Sequence, residues 1–80
     1  MTWFETEQIY DFLSRLENAL EEWALSRYQM QSAQAELGRL HRKLNKECYG
    51  PGAASKQEIL RELFGRIQQC QNSINERLKY

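Results

Sequence analysis

The chain has 80 residues and a formal net charge of zero, which suits one small domain. Its 41% hydrophobic and 28% charged residues are ordinary for a folded helical protein and exclude a disordered chain. It has no long apolar run, no basic-then-apolar leader and no basic surface pattern, so we expect no transmembrane helix, no signal peptide and no nucleic-acid partner. Two cysteines do not make a disulfide framework, so a reducing, cytoplasmic setting is expected.

The first predicted element is one long helix over residues 3–49. Thr2 and Glu5 form a T-x-x-E capping box that begins it, and Gly50 followed by Pro51 ends it. Its length would be about 70 Å. Large apolar side chains recur every seventh residue, at Ile9, Leu16, Trp23, Met30, Leu37 and Leu44. A second series lies three residues after each, at Phe12, Ala19, Ser26, Ala33 and Leu40. This seam is typical of a helix that packs lengthwise on another helix.

The second predicted element is a helix over residues 55–79, after a turn at residues 50–54. Ser55 and Glu58 form its capping box. Its apolar stripe contains Ile59, Leu60, Leu63, Phe64, Ile67, Cys70, Ile74 and Leu78. A short loop between helices predicts an antiparallel hairpin, and folding about Pro51 pairs Leu37 with Ile67. The predicted fold class is therefore all-α: a single helical-hairpin domain over residues 1–80, with a long first helix and a shorter second helix, assembling into a helical bundle or coiled coil.

The unequal helix lengths predict a partner-binding segment. Residues 3–22, which we call the overhang, extend beyond the second helix, and the hairpin has nothing left to cover them. Each large apolar side chain left exposed forfeits roughly 1.5–3 kcal/mol. The predicted partner-binding residues are Trp3, Phe4, Ile9, Phe12, Leu13, Leu16, Leu20 and Trp23. The alternative is a bend between Ser26 and Gln34 that folds the chain into a three-helix bundle, although no Gly or Pro marks a turn there.

Charge is unevenly distributed and suggests how such a partner would be oriented. Residues 1–25 carry six acids and one base, whereas residues 26–80 carry ten bases and five acids. An acidic overhang would be attracted to the basic hairpin of a second copy. The expected partner is therefore the protein itself, as a homodimer, or another helical protein, with no nucleic acid and no membrane.

The sequence offers no recognisable chemistry. His41 is the only histidine, and no Ser or Cys is placed beside it for nucleophilic catalysis. Cys48 and Cys70 lie several helical turns apart in the predicted hairpin, too far for a disulfide bond. We therefore interpret both as packing residues. We therefore predict no catalytic residue, no metal and no cofactor. The predicted function is a non-enzymatic protein–protein interaction module: an adaptor, assembly factor or small chaperone that acts by helix-on-helix packing of the overhang.

Two resemblances give alternatives. The stretch from Leu13 to Leu20, followed by Arg27, resembles the opening helix of the AroQ-type chorismate mutases, which implies a small all-helical enzyme. Counted from Arg27, that family's substrate-binding Lys and other essential Arg fall at Gly38 and Tyr10. The size and hairpin layout are also similar to those of small helical chaperones of bacterial secretion systems, by architecture alone. That likeness implies a subunit of a secretion or other multi-protein assembly with a hetero-partner.

Overall fold

The chain is all-helical, as predicted. A computed structural model describes residues 3–50 and 52–79, together with all their side chains except those of Trp3, Phe4 and Ala53. Three α-helices occur there, α1 (Trp3–Glu21), α2 (Arg27–Glu47) and α3 (Gln57–Leu78), with a short 3₁₀ helix at Ala53–Lys56 and no strand in these ranges. None of the helices within this described part is long and apolar enough to cross a membrane.

The prediction of one continuous helix over residues 3–49 is wrong, because the chain turns at residues 22–26. Trp23 has a φ of 55°, in the left-handed region. Its N–H donates to the Leu20 carbonyl (3.2 Å), and the Ala24 N–H donates to the Ala19 carbonyl (2.9 Å). These two bonds make a Schellman motif that ends α1, with tryptophan in the position glycine normally holds. The left-handed conformation costs a residue with a Cβ roughly 1–2 kcal/mol.

A capping box begins α2 directly after this turn. The Ser26 hydroxyl accepts a hydrogen bond from the Gln29 N–H (3.2 Å), and the Gln29 side chain accepts one from the Ser26 N–H (2.9 Å). The chain direction therefore changes just before the Ser26–Gln34 window that the alternative interpretation gave for a bend. Both ends of the connection are satisfied by hydrogen bonds without glycine or proline.

The predicted turn after the second of these helices also differs in detail. Gly52, and not Gly50, adopts the left-handed conformation, with a φ of 77°. The Ser55 hydroxyl donates to the Gly52 carbonyl (2.8 Å) inside the 3₁₀ helix, so it does not cap α3. As a result α3 begins at Gln57 and not at residue 55. The predicted box of Thr2 and Glu5 lies partly outside the described residues.

Polar contacts fix α2 and α3 as antiparallel neighbours. The Gln34 amide donates to the Gln71 carbonyl (3.2 Å) and to the Asn75 side chain (2.6 Å). The His41 ring meets the Phe64 ring edge-on at 5.2 Å between centroids. Contacts from later residues of α2 thus reach earlier residues of α3.

The first helix packs on α3 and runs parallel to it. Tyr10 contacts Glu62 near the start of α3, and Glu17 contacts Arg66 further along. At the other side of α1, the Glu5 carboxylate lies 3.4 Å from the Lys43 ammonium, near the end of α2, so α1 and α2 are antiparallel. The helices lie side by side in a body of about 42 × 19 × 17 Å.

One core connects the three helices. Its buried residues are Ile9, Leu13, Leu16, Leu20, Leu37, Leu44, Leu60, Leu63, Ile67, Cys70 and Ile74. The premise that nothing in the chain can cover the overhang is therefore wrong. The stripe on α3 is wide enough to pack against α1 on one side and α2 on the other.

Candidate protein-interaction surface

A clamp of polar side chains holds α1 on α3. The Arg66 guanidinium donates two hydrogen bonds to the Glu17 carboxylate, from Nη2 (2.6 Å) and Nε (3.2 Å), and Nη2 also donates to the Ser14 hydroxyl (3.2 Å). The guanidinium also lies 5.6 Å from the centre of the Tyr10 ring. The hydrogen bond to Glu17 raises the pKa of Arg66. Two-point pairing of this kind fixes orientation as well as distance.

Tyr10 adds a further link between these two helices. Its hydroxyl donates to the Glu62 carboxylate at 3.1 Å. Burial, followed by this hydrogen bond to Glu62, raises the pKa of the Tyr10 hydroxyl above its usual value. The position of α1 is therefore set by apolar burial together with polar contacts of defined geometry.

An apolar groove runs between α1 and α2 on the side that α3 does not line. The two helices approach each other less closely than each approaches α3. One part of the groove has a volume of about 390 Å³, and its apolar lining is Phe12, Leu16, Ala19, Leu25 and Ala33. A second part of about 240 Å³ continues past Phe12 to Ile9 and Leu40. Together they follow α1 for about 21 Å, from Glu5 to Ala19.

In the part of the groove near Ala19 and Ala33, charged side chains of opposite sign stand on the two rims. In the other part the signs are reversed, with Glu5 on the α1 rim 3.4 Å from Lys43 on the α2 rim. Arg15 lines the α1 rim and is paired with Asp11, at 3.1 Å. Glu36 lines the α2 rim and is paired with Arg39, at 3.5 Å. The groove is therefore an apolar channel whose two edges can orient a partner by charge.

Trp23 forms a separate exposed feature at the turn between α1 and α2. Its side chain is 73% exposed, and the Arg77 guanidinium lies 3.9 Å from the ring centre, covering one face. Beside the ring is an open depression of about 580 Å³ lined by Ser73 and Glu76. A large aromatic side chain held in a strained backbone conformation is an outlier that invites a functional explanation.

The structure divides the predicted partner-binding residues into four groups. Ile9, Leu13, Leu16 and Leu20 are buried within the chain, so only the edges of Ile9 and Leu16 reach the groove floor. Phe12 is half-buried at the centre of the groove, and Trp23 is exposed at the turn. The side chains of Trp3 and Phe4 lie outside the described residues.

The sequence pattern indicates neither the α2 side of the groove nor the clamp. The prediction of one continuous helix places Leu25 inside that helix and Ala33 on its seam, and it contains no turn at residues 22–26. The pattern Ser26-x-x-Gln29 is a capping-box signal, and it could have located the start of α2. Nothing in the sequence singles out Arg66 from other exposed-looking arginines.

The remaining reactive side chains are dispersed. Cys48 is exposed and Cys70 is buried, and both are free thiols. Burial raises the pKa of the Cys70 thiol. Among the residues described, no group of three or more His, Cys, Asp or Glu side chains could hold a metal ion.

No protein-family model, no curated protein and no solved structure matches this chain.

Proposed function

We propose that this chain is a non-enzymatic protein–protein interaction module, an adaptor, assembly factor or small chaperone, that receives a helix of a partner in the α1–α2 groove. The observation that carries the proposal is the apolar lining of this groove by Phe12, Leu25 and Ala33, which the chain's own third helix leaves uncovered. Antiparallel helix pairs with an open apolar groove are a recurring way of binding an amphipathic helix.

The shape of the groove supports a helix as the ligand. Ala19 and Ala33 are small and lie on facing rims, so a third backbone can approach the pair closely. A bound helix would complete a four-helix arrangement with α3 on the far side. The apolar stripe of such a helix would replace water over Phe12, and each large side chain it buries contributes about 1.5–3 kcal/mol.

The charges on the rims support a defined orientation for that helix. Arg15 on one rim favours an acidic flank, and Glu36 on the other favours a basic flank. A helix with its acids on one side of the apolar stripe and its bases on the other would match Arg15 and Glu36 in the part of the groove near Ala19 and Ala33. The reversed helix would bring like charges together, which lowers affinity.

A synthetic helix tests this proposal without knowledge of the natural partner. The probe is an amphipathic peptide of about 18 residues with a leucine stripe, an acidic flank and a basic flank. We expect calorimetry to detect saturable binding to the wild-type chain. We also expect weaker binding of a peptide with the same leucine stripe whose two flanks are both acidic, because either direction of that helix places acids against Glu36.

Matched variants locate the binding. Ala33→Glu places a charge on the groove lining and should abolish binding, whereas Ala35→Glu adds the same charge at an exposed position of α2 and should leave it unchanged. Ser32→Arg blocks the groove from an exposed position, so it should also abolish binding if Ala33→Glu proves unstable. Equal binding to wild type and both groove variants, or none to wild type, would contradict the proposal.

A further inference from the structure

The connection between α1 and α2 has a helical sequence in a non-helical conformation. Residues 22–26 contain no glycine and no proline, yet Trp23 has a φ of 55°. A tryptophan in the left-handed region is strained, because its Cβ crowds the following carbonyl oxygen. Short, strained connections between helices favour exchange of elements between copies.

The apolar seam runs through this connection without a change of phase. Leu16, Trp23 and Met30 are spaced by seven residues, and so are Ala19, Ser26 and Ala33 in the second series. If residues 22–26 became helical, Trp23 would join the same apolar face as Leu16 and Met30. Its side chain, 73% exposed in the folded-back chain, would then face a neighbouring helix.

We propose that two copies of this chain exchange α1. In the exchanged dimer, residues 3–47 form one helix, about 68 Å long, and the α1 segment of each copy packs on α3 of the other. The contacts between α1 and α3 keep their chemistry, since the Arg66 clamp on Glu17 forms between copies instead of within one. The proposal does not depend on the groove, because it needs only the α1–α3 surface that the fold already contains.

The distribution of charge also favours a second copy of this chain as the partner that receives the exchanged α1. The α1 helix carries five acids and one base, and the rest of the chain from residue 26 carries ten bases and five acids. An α1 segment that leaves its own chain is therefore attracted to the same basic surface on another copy. The zero net charge of the whole chain leaves little repulsion between copies.

The connection determines which form is favoured. The Schellman motif and the Ser26–Gln29 capping box stabilise the folded-back chain. Release of the left-handed Trp23 and the added helical hydrogen bonds stabilise the exchanged dimer. Substitutions in the connection should therefore shift the monomer–dimer equilibrium in opposite directions, and they leave the Arg66 clamp between α1 and α3 unchanged.

Light scattering across a concentration series measures this shift. We expect a wild-type dimer at high concentration. Trp23→Gly removes the strain and disfavours helix, so it should raise the dimer dissociation constant about tenfold or more. Ser26→Ala removes the cap and should lower it. Tyr28→Ala, which removes an exposed aromatic side chain just outside the connection, should leave it unchanged.

A charge-exchange experiment distinguishes exchange from any other dimer. Glu17→Arg and Arg66→Glu each place like charges in the clamp of a single chain. When the two variants are mixed, exchange of α1 brings an acid against a base in both clamps of the heterodimer, whereas any dimer without exchange leaves both clamps repulsive. We expect the mixture to form a 1:1 heterodimer with more helix, by circular dichroism, than either variant alone. No gain on mixing, or a wild-type chain that stays monomeric at millimolar concentration, would overturn the proposal.

Discussion

Arg66→Met should destabilise the fold far more than removal of an arginine from an exposed ion pair. The Arg66 and Glu17 side chains retain only 22% and 37% exposure, and the substitution removes two hydrogen bonds to a carboxylate. At this degree of burial the pair contributes about 1–2 kcal/mol, and the contact with Tyr10 adds about 0.5 kcal/mol. The expected loss is therefore about 2 kcal/mol, or about 10 °C in Tm for a chain of this size.

Arg39→Met is the matched control for this prediction. Arg39 and Glu36 are 72% and 41% exposed and belong to the same helix, so their pair contributes about 0.3–0.5 kcal/mol. Urea unfolding followed by circular dichroism measures both losses. If Arg66→Met loses no more stability than Arg39→Met, the clamp does not hold α1 on α3.

Three further predictions use the same unfolding assay. Gly65→Ala should stabilise the chain by about 0.5–1 kcal/mol, since a Cβ at this helical position meets nothing within 4 Å. Gly52→Ala should destabilise the chain, because the φ of Gly52 is 77°. If Gly52→Ala were the more stable variant, the left-handed conformation of Gly52 would be wrong. Leu13→Asp should remove about 3 kcal/mol or more of stability, because that side chain is fully buried. An unchanged urea-unfolding curve would show that Leu13 is exposed and available to a partner. Burial raises the pKa of the Cys70 thiol, so the folded chain holds that proton more tightly than the unfolded chain. Stability should be full below the ordinary thiol pKa of 9.0 and should fall as pH rises above it, and Cys70→Val should flatten that decline; an equal decline in the variant would exclude Cys70 as its cause.

The helical class could be predicted because the evidence for it is local. Apolar spacing shows which face of each helix is buried, and the predicted α3 stripe of Leu60, Leu63, Ile67, Cys70 and Ile74 is buried in the structure. The same spacing does not show which helix covers that face. Leu13 and Leu20 would present the same pattern whether they packed on a partner or on their own α3.

The turn at residues 22–26 escaped prediction for a different physical reason. A Schellman motif usually has glycine at its left-handed position, which makes the motif recognisable in a sequence. Here Trp23 adopts that conformation, at an energetic cost. A capping-box sequence alone does not show that a helix begins there. Ser26 and Gln29 form a capping box in the structure. In the similar sequence Ser55-x-x-Glu58, the Ser55 hydroxyl donates to the Gly52 carbonyl and does not cap α3. The groove could not be predicted, because both of its rims depend on this turn.

Backbone chemical shifts of residues 19–29, measured by NMR on the monomeric protein, would show whether the chain turns between α1 and α2. The groove and the clamp within one chain both require the monomer to turn between Glu21 and Arg27, and this turn is what straightens in the exchanged dimer. The turn at residues 22–26 predicts helical shifts that end at Glu21, shifts typical of the left-handed conformation at Trp23, and helical shifts that resume at Arg27. Uninterrupted helical shifts from α1 into α2 in the monomer would contradict it.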